Sequence, residues 1–403
     1  MTTNIEKFNY PAYQFAFFRA VFGLYLFIHF LDLTPIGFEI WSNTGMISDV
    51  TLNMTYGTFP SILYIFNEDY HITSFLTVMS LLSFFVMIGF WRRTSALLLW
   101  YGWACLLHQN NLILNPGIPM VGWLLLALAI IPDGEGYSVE NKKDNWEMPS
   151  ILFWGAWIIV GISYTISGID KAMAPSWIDG SAITHLLNNP LARDYFLRDW
   201  LLATPEFFRE ILTWSALILE IFFGALVIFS RTRMFAWLMI MTLHIGILLI
   251  VDFPDLTLGV VMIHLFTFDH RWFKPKSSKS IVLFDGVCGF CNKSVDTIMK
   301  LDTFGKLKYS PLQGEFSKSI DIDKNLDSIA FYVDGNIYYK STAILKILRN
   351  LGGVFILSNI FYIIPKFIRD FIYDIIAKYR YDIFGKSENC RIPSQNEQSR
   401  FLD

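Results

Sequence analysis

Long apolar stretches fill the first part of this chain, and they restrict its fold more than any other feature. Hydrophobic residues make up 54% of the 403 residues, and only 17% are charged. The long apolar stretches lie almost entirely within residues 1–270, whereas 271–403 have the mixed charges of a soluble domain. Because a bilayer core offers the backbone no hydrogen-bond partners, such stretches are typical of membrane-spanning helices. The sequence therefore predicts a helical membrane domain followed by a soluble domain.

Eight segments are candidates for membrane spans: 15–31, 72–90, 95–107, 117–131, 150–168, 211–229, 234–251 and 256–268. A helix needs about 20 residues to cross the hydrocarbon core, so the third and eighth segments are short. The predicted fold is thus a polytopic α-helical membrane domain of about eight spans over residues 1–270. A basic linker follows over 271–280, and a small α/β domain occupies 281–403.

Basic residues indicate which ends of the spans face the cytoplasm. Lys and Arg residues are concentrated at alternate ends, namely Arg92, Arg93, Lys142, Lys143, Arg231, Arg233 and the linker. The segments 32–71, 108–116 and 252–255 contain none. By the positive-inside rule, we expect a protein of the cell (inner) membrane with its N-terminus and C-terminal domain in the cytoplasm. The first apolar segment follows Glu6 and Lys7 and lacks a small-residue cleavage site, so no cleavable signal peptide is expected.

Two cysteines lie two residues apart near the start of the predicted soluble domain. In Asp285-Gly-Val-Cys288-Gly-Phe-Cys291, the cysteines follow a strand-like segment, 280–285, and precede residues 292–301, which have helical spacing. This order of strand, CxxC and helix is typical of thioredoxin-like redox sites. The unpaired N–H groups of a helix N-terminus favour a thiolate at Cys288. We expect Cys288 to attack a disulfide and Cys291 to resolve the mixed disulfide.

The remainder of this domain is consistent with a small thioredoxin-like α/β fold and gives little support for a metal site. A second strand is predicted over 308–312, a hairpin over 328–340 and a helix over 343–351. A zinc site normally needs four ligands, and beyond the pair only Cys390 is available, with no His after His270. A redox pair is therefore predicted, and no metal. Asp285 could take a proton from a cysteine or orient the loop, although its charge alone would oppose thiolate formation.

Four segments of the C-terminal domain carry a resemblance to a known family: FDGVCGFC, KSTAILKIL, IPKFIRDFIYDIIAKYRYDIFGK and ENCRIP. Together they resemble the DCC family of thiol-disulfide oxidoreductase-like proteins over about residues 280–403. The resemblance implies thiol-disulfide chemistry at Cys288 and Cys291, with Asp285 beside them. After Pro365, apolar residues recur at helical spacing. This stripe predicts packing in the core, with contact to a membrane surface as the alternative.

Ionisable residues inside the membrane domain are the natural functional candidates, because burying a charge in lipid is costly. His29, Glu220, His244 and His264 lie within or near the predicted spans, where each alone is more typical of a packed or capping residue. Arg19 lies at the cytoplasmic end of the first span, and we expect its long side chain to reach the water there.

The segment from Tyr164 to Gly180 differs from these isolated residues, since Lys171 follows a span and is itself followed by Trp177 and Asp179-Gly180. With Arg19-Ala-Val-Phe-Gly23 and Pro132-Asp-Gly134, this segment resembles vitamin K-dependent gamma-carboxylase and its bacterial relatives, the HTTM family, over about residues 10–270. The alternative interpretation is a loop lysine that pairs with Asp170 or Asp179.

The HTTM resemblance implies three candidate residues. Lys171 matches the lysine proposed to act as a base on reduced vitamin K, His244 matches a histidine on a later helix, and His108 matches a histidine linked with epoxidation. The chain has no large lumenal region of the kind that binds the carboxylase substrate. We therefore do not expect glutamate carboxylation, and a quinone or another lipid-soluble substrate remains the expectation.

Three functions are compatible with these patterns. The first is a membrane-bound thiol-disulfide oxidoreductase that exchanges electrons with a quinone-like or other lipid-soluble substrate. The second is an oxidoreductase for which the spans are only an anchor and docking surface. The third is a membrane maturation, immunity or anchoring protein whose CxxC is structural or metal-binding. The expected partners are membrane lipid and either a disulfide-containing protein or a quinone-like molecule. With a net charge of −3 and no basic patch, nucleic acid is not expected.

Overall fold

The computed structural model describes residues 9–139, 143, 146–274, 280–320, 322, 329–384 and 397–402, the side chains of 381–384 excepted. The chain divides into two compact units, Met1–Phe268 and Asp269–Asp403. The predicted linker residues 275–279 and Cys390 lie outside the described residues.

Among the described residues of the first unit, the regular secondary structure is helical, apart from one isolated β-bridge between Ala192 and Val251. In chain order the α-helices are α1 (Ala12–Leu33), α2 (Gly37–Trp41), α3 (Asp69–Ile88), α4 (Arg92–Gln109), α5 (Gly117–Ile130), α6 (Ser150–Lys171), α7 (Pro175–Ile178), α8 (Ala182–Leu187), α9 (Phe196–Ala203), α10 (Glu206–Ile228), α11 (Ser230–Ile250) and α12 (Asp255–Thr267). Each of the eight segments predicted as a span falls on one of these helices, namely α1, α3, α4, α5, α6, α10, α11 and α12.

Five of these helices are long and apolar enough to cross a membrane: α1, α3, α6, α10 and α11. The helices α5 and α12 are apolar but have only 14 and 13 residues, and α4 begins with two arginines. Length and composition therefore identify a polytopic membrane protein, whereas the predicted count of eight spans is not confirmed.

Arg19 does not reach water as predicted. Its side chain is 1% exposed, and its Nε lies 3.0 Å from Oε1 of Glu135. The same carboxylate oxygen lies 3.7 Å from Nε of Arg92, which is also buried. The prediction was wrong because the segment after α5 brings a buried acid between the two arginines. A buried charge is tolerated when it is paired in this way.

The helices α6 and α10 approach so closely at Gly168 that no other residue fits there. A Cβ at this position would lie 2.5 Å from the backbone nitrogen of Ile221, which is too short for a carbon and a nitrogen that are not bonded to each other. The close approach brings the last turn of α6, with Lys171, beside Glu220 of α10. Backbone geometry thus places two charged residues from different helices together.

The second unit contains a four-stranded sheet with helices on it. The strands are β1 (Ser280–Phe284), β2 (Leu307–Pro311), β3 (Ala330–Val333) and β4 (Asn336–Tyr339), in the spatial order β2-β1-β3-β4. The pair β1 and β2 is parallel, whereas β3 runs antiparallel to both β1 and β4. The helices are α13 (Gly289–Leu301), α14 (Glu315–Ser319), α15 (Lys340–Leu351) and α16 (Lys366–Phe384), with a 3₁₀ segment over Gly353–Ile363.

Side chains of β1 point alternately to the two faces of the sheet and pack in an apolar cluster on each face, as expected for a strand buried on both sides. Val282 and Phe284 pack with Val295 of α13 and Ile347 of α15. The opposite face has a smaller cluster around Ile281, Leu283 and Ala330. The sheet therefore fixes the end of β1, where the cysteine motif begins.

The apolar stripe of α16 is exposed, so the prediction that it packs in the core was wrong. Phe367 is 74% exposed and Phe371 is 66% exposed. The inward side of α16 instead has polar groups: the Tyr373 hydroxyl accepts a hydrogen bond from the Ile329 N–H at 3.1 Å, and Arg380 is 3% exposed. The side of α16 that packs against α13 and α15 therefore carries polar groups as well as apolar ones.

Candidate functional site

The cysteine pair lies where β1 ends and α13 begins, as the sequence predicts. Cys288 is the N-cap residue of α13, and its sulfur accepts a hydrogen bond from the backbone N–H of Cys291 at 3.3 Å. A thiolate at Cys288 would be stabilised by this N–H and by the helix N-terminus. The turn is held by Asn292, whose side-chain amide donates to the carbonyl of Gly286 at 3.1 Å.

Asp285 lies beside the cysteines and is held by several donors. Its Oδ1 accepts hydrogen bonds from the Val287 N–H at 3.2 Å and from the Gln313 amide at 3.1 Å. Its Oδ2 lies 3.9 Å from Nη2 of Arg380, which comes from α16. The whole residue is only 4% exposed. Sequence reasoning found Asp285 but not Arg380, because its approach depends on how α16 packs.

Both sulfurs are shielded from solvent. Cys288 is fully buried and Cys291 is 9% exposed. Burial raises the pKa of the Cys291 thiol, and its contact with Cys288 raises it further. The positive charge of Arg380 acts in the opposite direction, whereas the negative charge of Asp285 adds to the increase. Cys291 is therefore mostly a thiol at neutral pH, and it has to lose its proton before it can attack a disulfide.

The same three residues could also hold a metal ion. One ligand atom each from Asp285, Cys288 and Cys291 lies within 4.8 Å of the others. Among the residues that the structure describes, no fourth His, Cys, Asp or Glu side chain joins this group. Structural zinc normally takes four protein ligands, and the nearby Arg380 guanidinium opposes binding of a cation. The donor set therefore fits a redox pair better than a closed zinc site.

A polar cluster lies in the first unit around Lys171. Nζ of Lys171 is 2.5 Å from both carboxylate oxygens of Glu220, which also accepts a hydrogen bond from the Ser167 hydroxyl at 3.0 Å. The ammonium lies 5.0 Å from the ring centre of Trp177. The predicted alternative of pairing with Asp170 or Asp179 is not what the structure has, since the close contact of α6 and α10 supplies Glu220.

His244, on α11, lies in a second part of this cluster, where it contacts Tyr164 of α6 about two helix turns before Lys171. The Tyr164 hydroxyl is 2.5 Å from Nε2 of His244 and 2.7 Å from Nε2 of His264. Tyr164, Gly168 and Lys171 are spaced by four and three residues and therefore share one face of α6. That spacing is visible in the sequence and places Tyr164 on the same face of α6 as Lys171, but the contacts of Tyr164 with His244 and His264 are visible only in the structure.

His108 does not belong to this cluster. In the described part of the chain its ring stacks on Phe59, with ring centres 5.0 Å apart, and its Nδ1 lies 3.4 Å from the Thr58 hydroxyl. Its backbone carbonyl accepts a hydrogen bond from Asn53 at 2.8 Å. The structure thus brings Lys171 and His244 to one cluster and places His108 against the segment between α2 and α3.

The charge of Asp285 can be tested through the reactivity of Cys291. Because Asp285 contributes to the raised pKa of Cys291, Asp285→Asn should lower that pKa and increase the rate of alkylation at neutral pH. One pKa unit corresponds to about tenfold in thiolate, so an increase of up to about tenfold is expected. The measurement is the pH dependence of iodoacetamide modification at Cys291, followed by mass spectrometry in the full chain.

The control for this experiment is Asp334→Asn in the turn between β3 and β4. Asp334 has a φ of 49°, which Asn adopts as readily as Asp, so the fold should be kept. Asp334→Asn should leave the alkylation profile unchanged. Slower alkylation in Asp285→Asn would show that Asp285 supports the thiolate rather than opposing it.

Comparison with known proteins assigns a family to each part of this chain. Residues 9–272 match the model of the HTTM domain, and residues 282–386 match that of the DCC1-like thiol-disulfide oxidoreductase. The uncharacterized protein YuxK of Bacillus subtilis (strain 168) is 42% identical over 127 residues, which cover 30% of this chain and 93% of that protein. The chloroplastic DCC family protein At1g52590 of Arabidopsis thaliana is 32% identical over 133 residues, or 30% of this chain and 77% of that protein.

No solved structure matches the chain. The two family assignments agree with the resemblances to the HTTM and DCC families that the sequence carries. The chain therefore belongs to the HTTM domain family, and its C-terminal domain is a DCC1-like thiol-disulfide oxidoreductase domain.

Proposed function

We propose that this protein is a membrane-bound thiol-disulfide oxidoreductase in which Cys288 and Cys291 are the reacting residues. The observation that supports this most directly is the position of Cys288 at the N-cap of α13, where its sulfur accepts the Cys291 N–H. This position favours a thiolate at the attacking cysteine and keeps the second thiol next to it.

The proposed reaction passes two electrons to a substrate disulfide. The Cys288 thiolate attacks one substrate sulfur, which breaks the substrate S–S bond, forms a mixed disulfide and releases the other substrate sulfur as a thiolate. Cys291 then loses its proton and attacks the Cys288 sulfur. The products are the Cys288–Cys291 disulfide and two substrate thiols. The reverse sequence would oxidise a substrate dithiol.

Asp285 is proposed to accept the proton that Cys291 loses in the second step. The raised pKa of Cys291 means that this thiol needs a base, and the Asp285 carboxylate is within 4.8 Å. Arg380 then stabilises the negative charge on either group, since it faces Asp285 and lowers the pKa of Cys291. On this proposal, Asp285 opposes the resting thiolate but assists the transfer of its proton.

The burial of Cys288 bears on the kind of substrate. A fully buried sulfur can react only after a local opening at the start of α13, so small or extended disulfides have an advantage over disulfides on flat protein surfaces. We propose a disulfide in an extended peptide segment or a small molecule as the substrate.

Replacement of single cysteines tests this chemistry. With the full chain in lipid nanodiscs and a peptide with one disulfide as substrate, Cys288→Ser should reduce exchange to the uncatalysed rate. Cys291→Ser should instead accumulate a mixed disulfide between Cys288 and the peptide, because the resolving thiol is missing. Mass spectrometry of the intact protein after an acid quench detects this species.

Cys105→Ser is the matched control, because Cys105 is a buried thiol of α4 in the other unit and should not affect the exchange rate. Wild-type exchange that persists in Cys288→Ser would contradict the proposal. Stoichiometric zinc in the purified wild-type protein would support the alternative in which the pair is structural or metal-binding.

The membrane unit is a second place where redox chemistry is proposed. A groove of about 620 Å³ beside Lys171 is lined by Ser163, Ser167, Lys171 and Trp177. An ammonium paired with a buried carboxylate can donate a proton to a carbonyl oxygen and be reprotonated. These features support a quinone-like substrate in this groove. Reduction by the dithiol balances, because Cys288 and Cys291 give up two electrons and two protons and the quinone takes up both. The orientation proposed below places Lys171 and the cysteines on opposite sides of the membrane, so on this proposal the quinone itself moves between the two sites.

This second proposal is tested with 2-methyl-1,4-naphthoquinone and dithiothreitol-reduced protein in nanodiscs. Quinone reduction, followed by absorbance, should be lost in both Cys288→Ser and Lys171→Met. Peptide disulfide exchange should be lost only in Cys288→Ser, whereas Lys274→Met, an exposed lysine, should keep both reactions. Quinone reduction at the wild-type rate in Lys171→Met would leave the membrane unit as an anchor and docking surface.

We further propose that the protein resides in the cell membrane with its second unit in the cytoplasm. The positive-inside distribution of Lys and Arg supports this orientation. A membrane-impermeant maleimide applied to intact cells should label Met46→Cys, which is 65% exposed between α2 and α3, but not Thr303→Cys in the second unit. Cell lysis should make Thr303→Cys reactive. The opposite labelling pattern would reverse the orientation.

A further inference from the structure

A second cavity in the membrane unit lies away from Lys171. It has a volume of about 310 Å³ and lies among α1, α4, α5 and the start of α12. Its lining includes the side chains of Tyr25, His29, Trp41, Trp103, Ile118 and Asp255. Asp255 and His264 are separated by nine residues of α12, which correspond to a rise of about 13 Å. The cavity is therefore distinct from the cluster around Tyr164 and Lys171.

One end of this cavity has a histidine and an acid from different helices. Nδ1 of His29, on α1, lies 2.9 Å from Oδ1 of Asp255, on α12. The Tyr25 hydroxyl donates to the same carboxylate oxygen at 3.4 Å. Asp255 is the first residue of α12, and its carboxylate oxygen can only accept in both of these contacts. It therefore orients the His29 ring by accepting the Nδ1–H.

The other ring nitrogen of His29 is available to a ligand. With the proton on Nδ1, Nε2 of a neutral imidazole is a hydrogen-bond acceptor. Among the described residues, Nε2 has no hydrogen-bond partner, and it is not one of the enclosed, unpaired polar atoms, so it retains accessible surface. A ligand in the cavity would thus meet one oriented acceptor.

The remaining walls favour a flat, apolar ligand. The ring centres of His29 and Trp103 are 5.3 Å apart, and those of Tyr25 and His29 are 5.9 Å apart. The Trp103 indole N–H already donates to the Ile118 carbonyl at 3.1 Å, so this ring offers mainly its apolar surface. Pockets for small molecules commonly have about 300–1,000 Å³ and a few oriented polar groups in an apolar lining.

We propose that this cavity binds a largely apolar ring compound that carries a hydroxyl group, with the hydroxyl donating to Nε2 of His29. Asp255 is a positioning residue, because it fixes the tautomer and orientation of the imidazole that receives the hydroxyl group. Tyr25 supports the same carboxylate. The proposal does not depend on the thiol chemistry of Cys288 or on the groove beside Lys171.

The structural alternative is that His29 and Asp255 only join α1 to α12. That role would make His29 important for stability, but it would give the cavity no preference for a hydroxyl group. The discriminating measurement is therefore a preference between two ligands of the same shape, rather than a loss of binding in one variant.

The probes are 1-naphthol and 1-methylnaphthalene, which have the same ring system and differ only in that the first carries a hydroxyl group where the second carries a methyl group. Equilibrium binding to the full chain in nanodiscs is measured, with binding to protein-free nanodiscs subtracted. The wild-type protein should bind 1-naphthol about tenfold more tightly, as one net hydrogen bond of ordinary strength provides. His29→Phe keeps an aromatic ring but removes the acceptor, so the two probes should bind with equal affinity.

Two further variants test whether the probes occupy this cavity. Leu112 lines it and is 69% exposed, so Leu112→Trp should weaken both probes by narrowing the cavity. Leu114 is similarly exposed but does not line the cavity, so Leu114→Trp should leave both affinities unchanged. Equal affinities in the wild-type protein, a preference retained in His29→Phe, or binding unaffected by Leu112→Trp would each overturn the proposal.

Discussion

The structure of the membrane unit depends most strongly on one constraint: each charge buried among its apolar helices has to be paired with a charge from another segment. An unpaired charge in an apolar bundle costs several kcal/mol, so each buried ionisable group needs a partner from another segment. Glu135 meets this requirement for Arg19, and the partly exposed Lys171 meets it for the buried Glu220. The second pair exists only because Gly168 allows α6 and α10 to touch. The close packing of α6 and α10 thus also determines where the candidate polar groups lie.

The thiol site results from two opposing effects. The N-terminus of α13 and the Cys291 N–H favour negative charge on Cys288, whereas burial raises the pKa of Cys291. Asp285 and Arg380 then add charges of opposite sign at short range. A pair in which one sulfur accepts a backbone N–H at a helix N-terminus and the other is kept as a thiol is suited to sequential attack and resolution.

The sequence predicted those features of this protein that depend on residues close together in the chain. The strand, the CxxC and the helix from 280 to 301 occur as expected, because turn glycines, an N-cap and helical spacing are local signals. All eight apolar segments are helices, yet only five have the length and composition of spans. The side of α16 that faces the sheet was predicted incorrectly, because apolar spacing cannot tell a protein core from another apolar environment.

By itself, the sequence determined the two-part organisation, the membrane character of the first part and the thiol pair of the second, since composition and spacing report these directly. Only the tertiary structure decided that Lys171 pairs with Glu220, that Tyr164 joins His244 to His264, and that Arg380 reaches Asp285. These contacts join residues far apart in the chain. Their partners are selected by helix packing and by the cost of an unpaired buried charge, neither of which a local pattern contains.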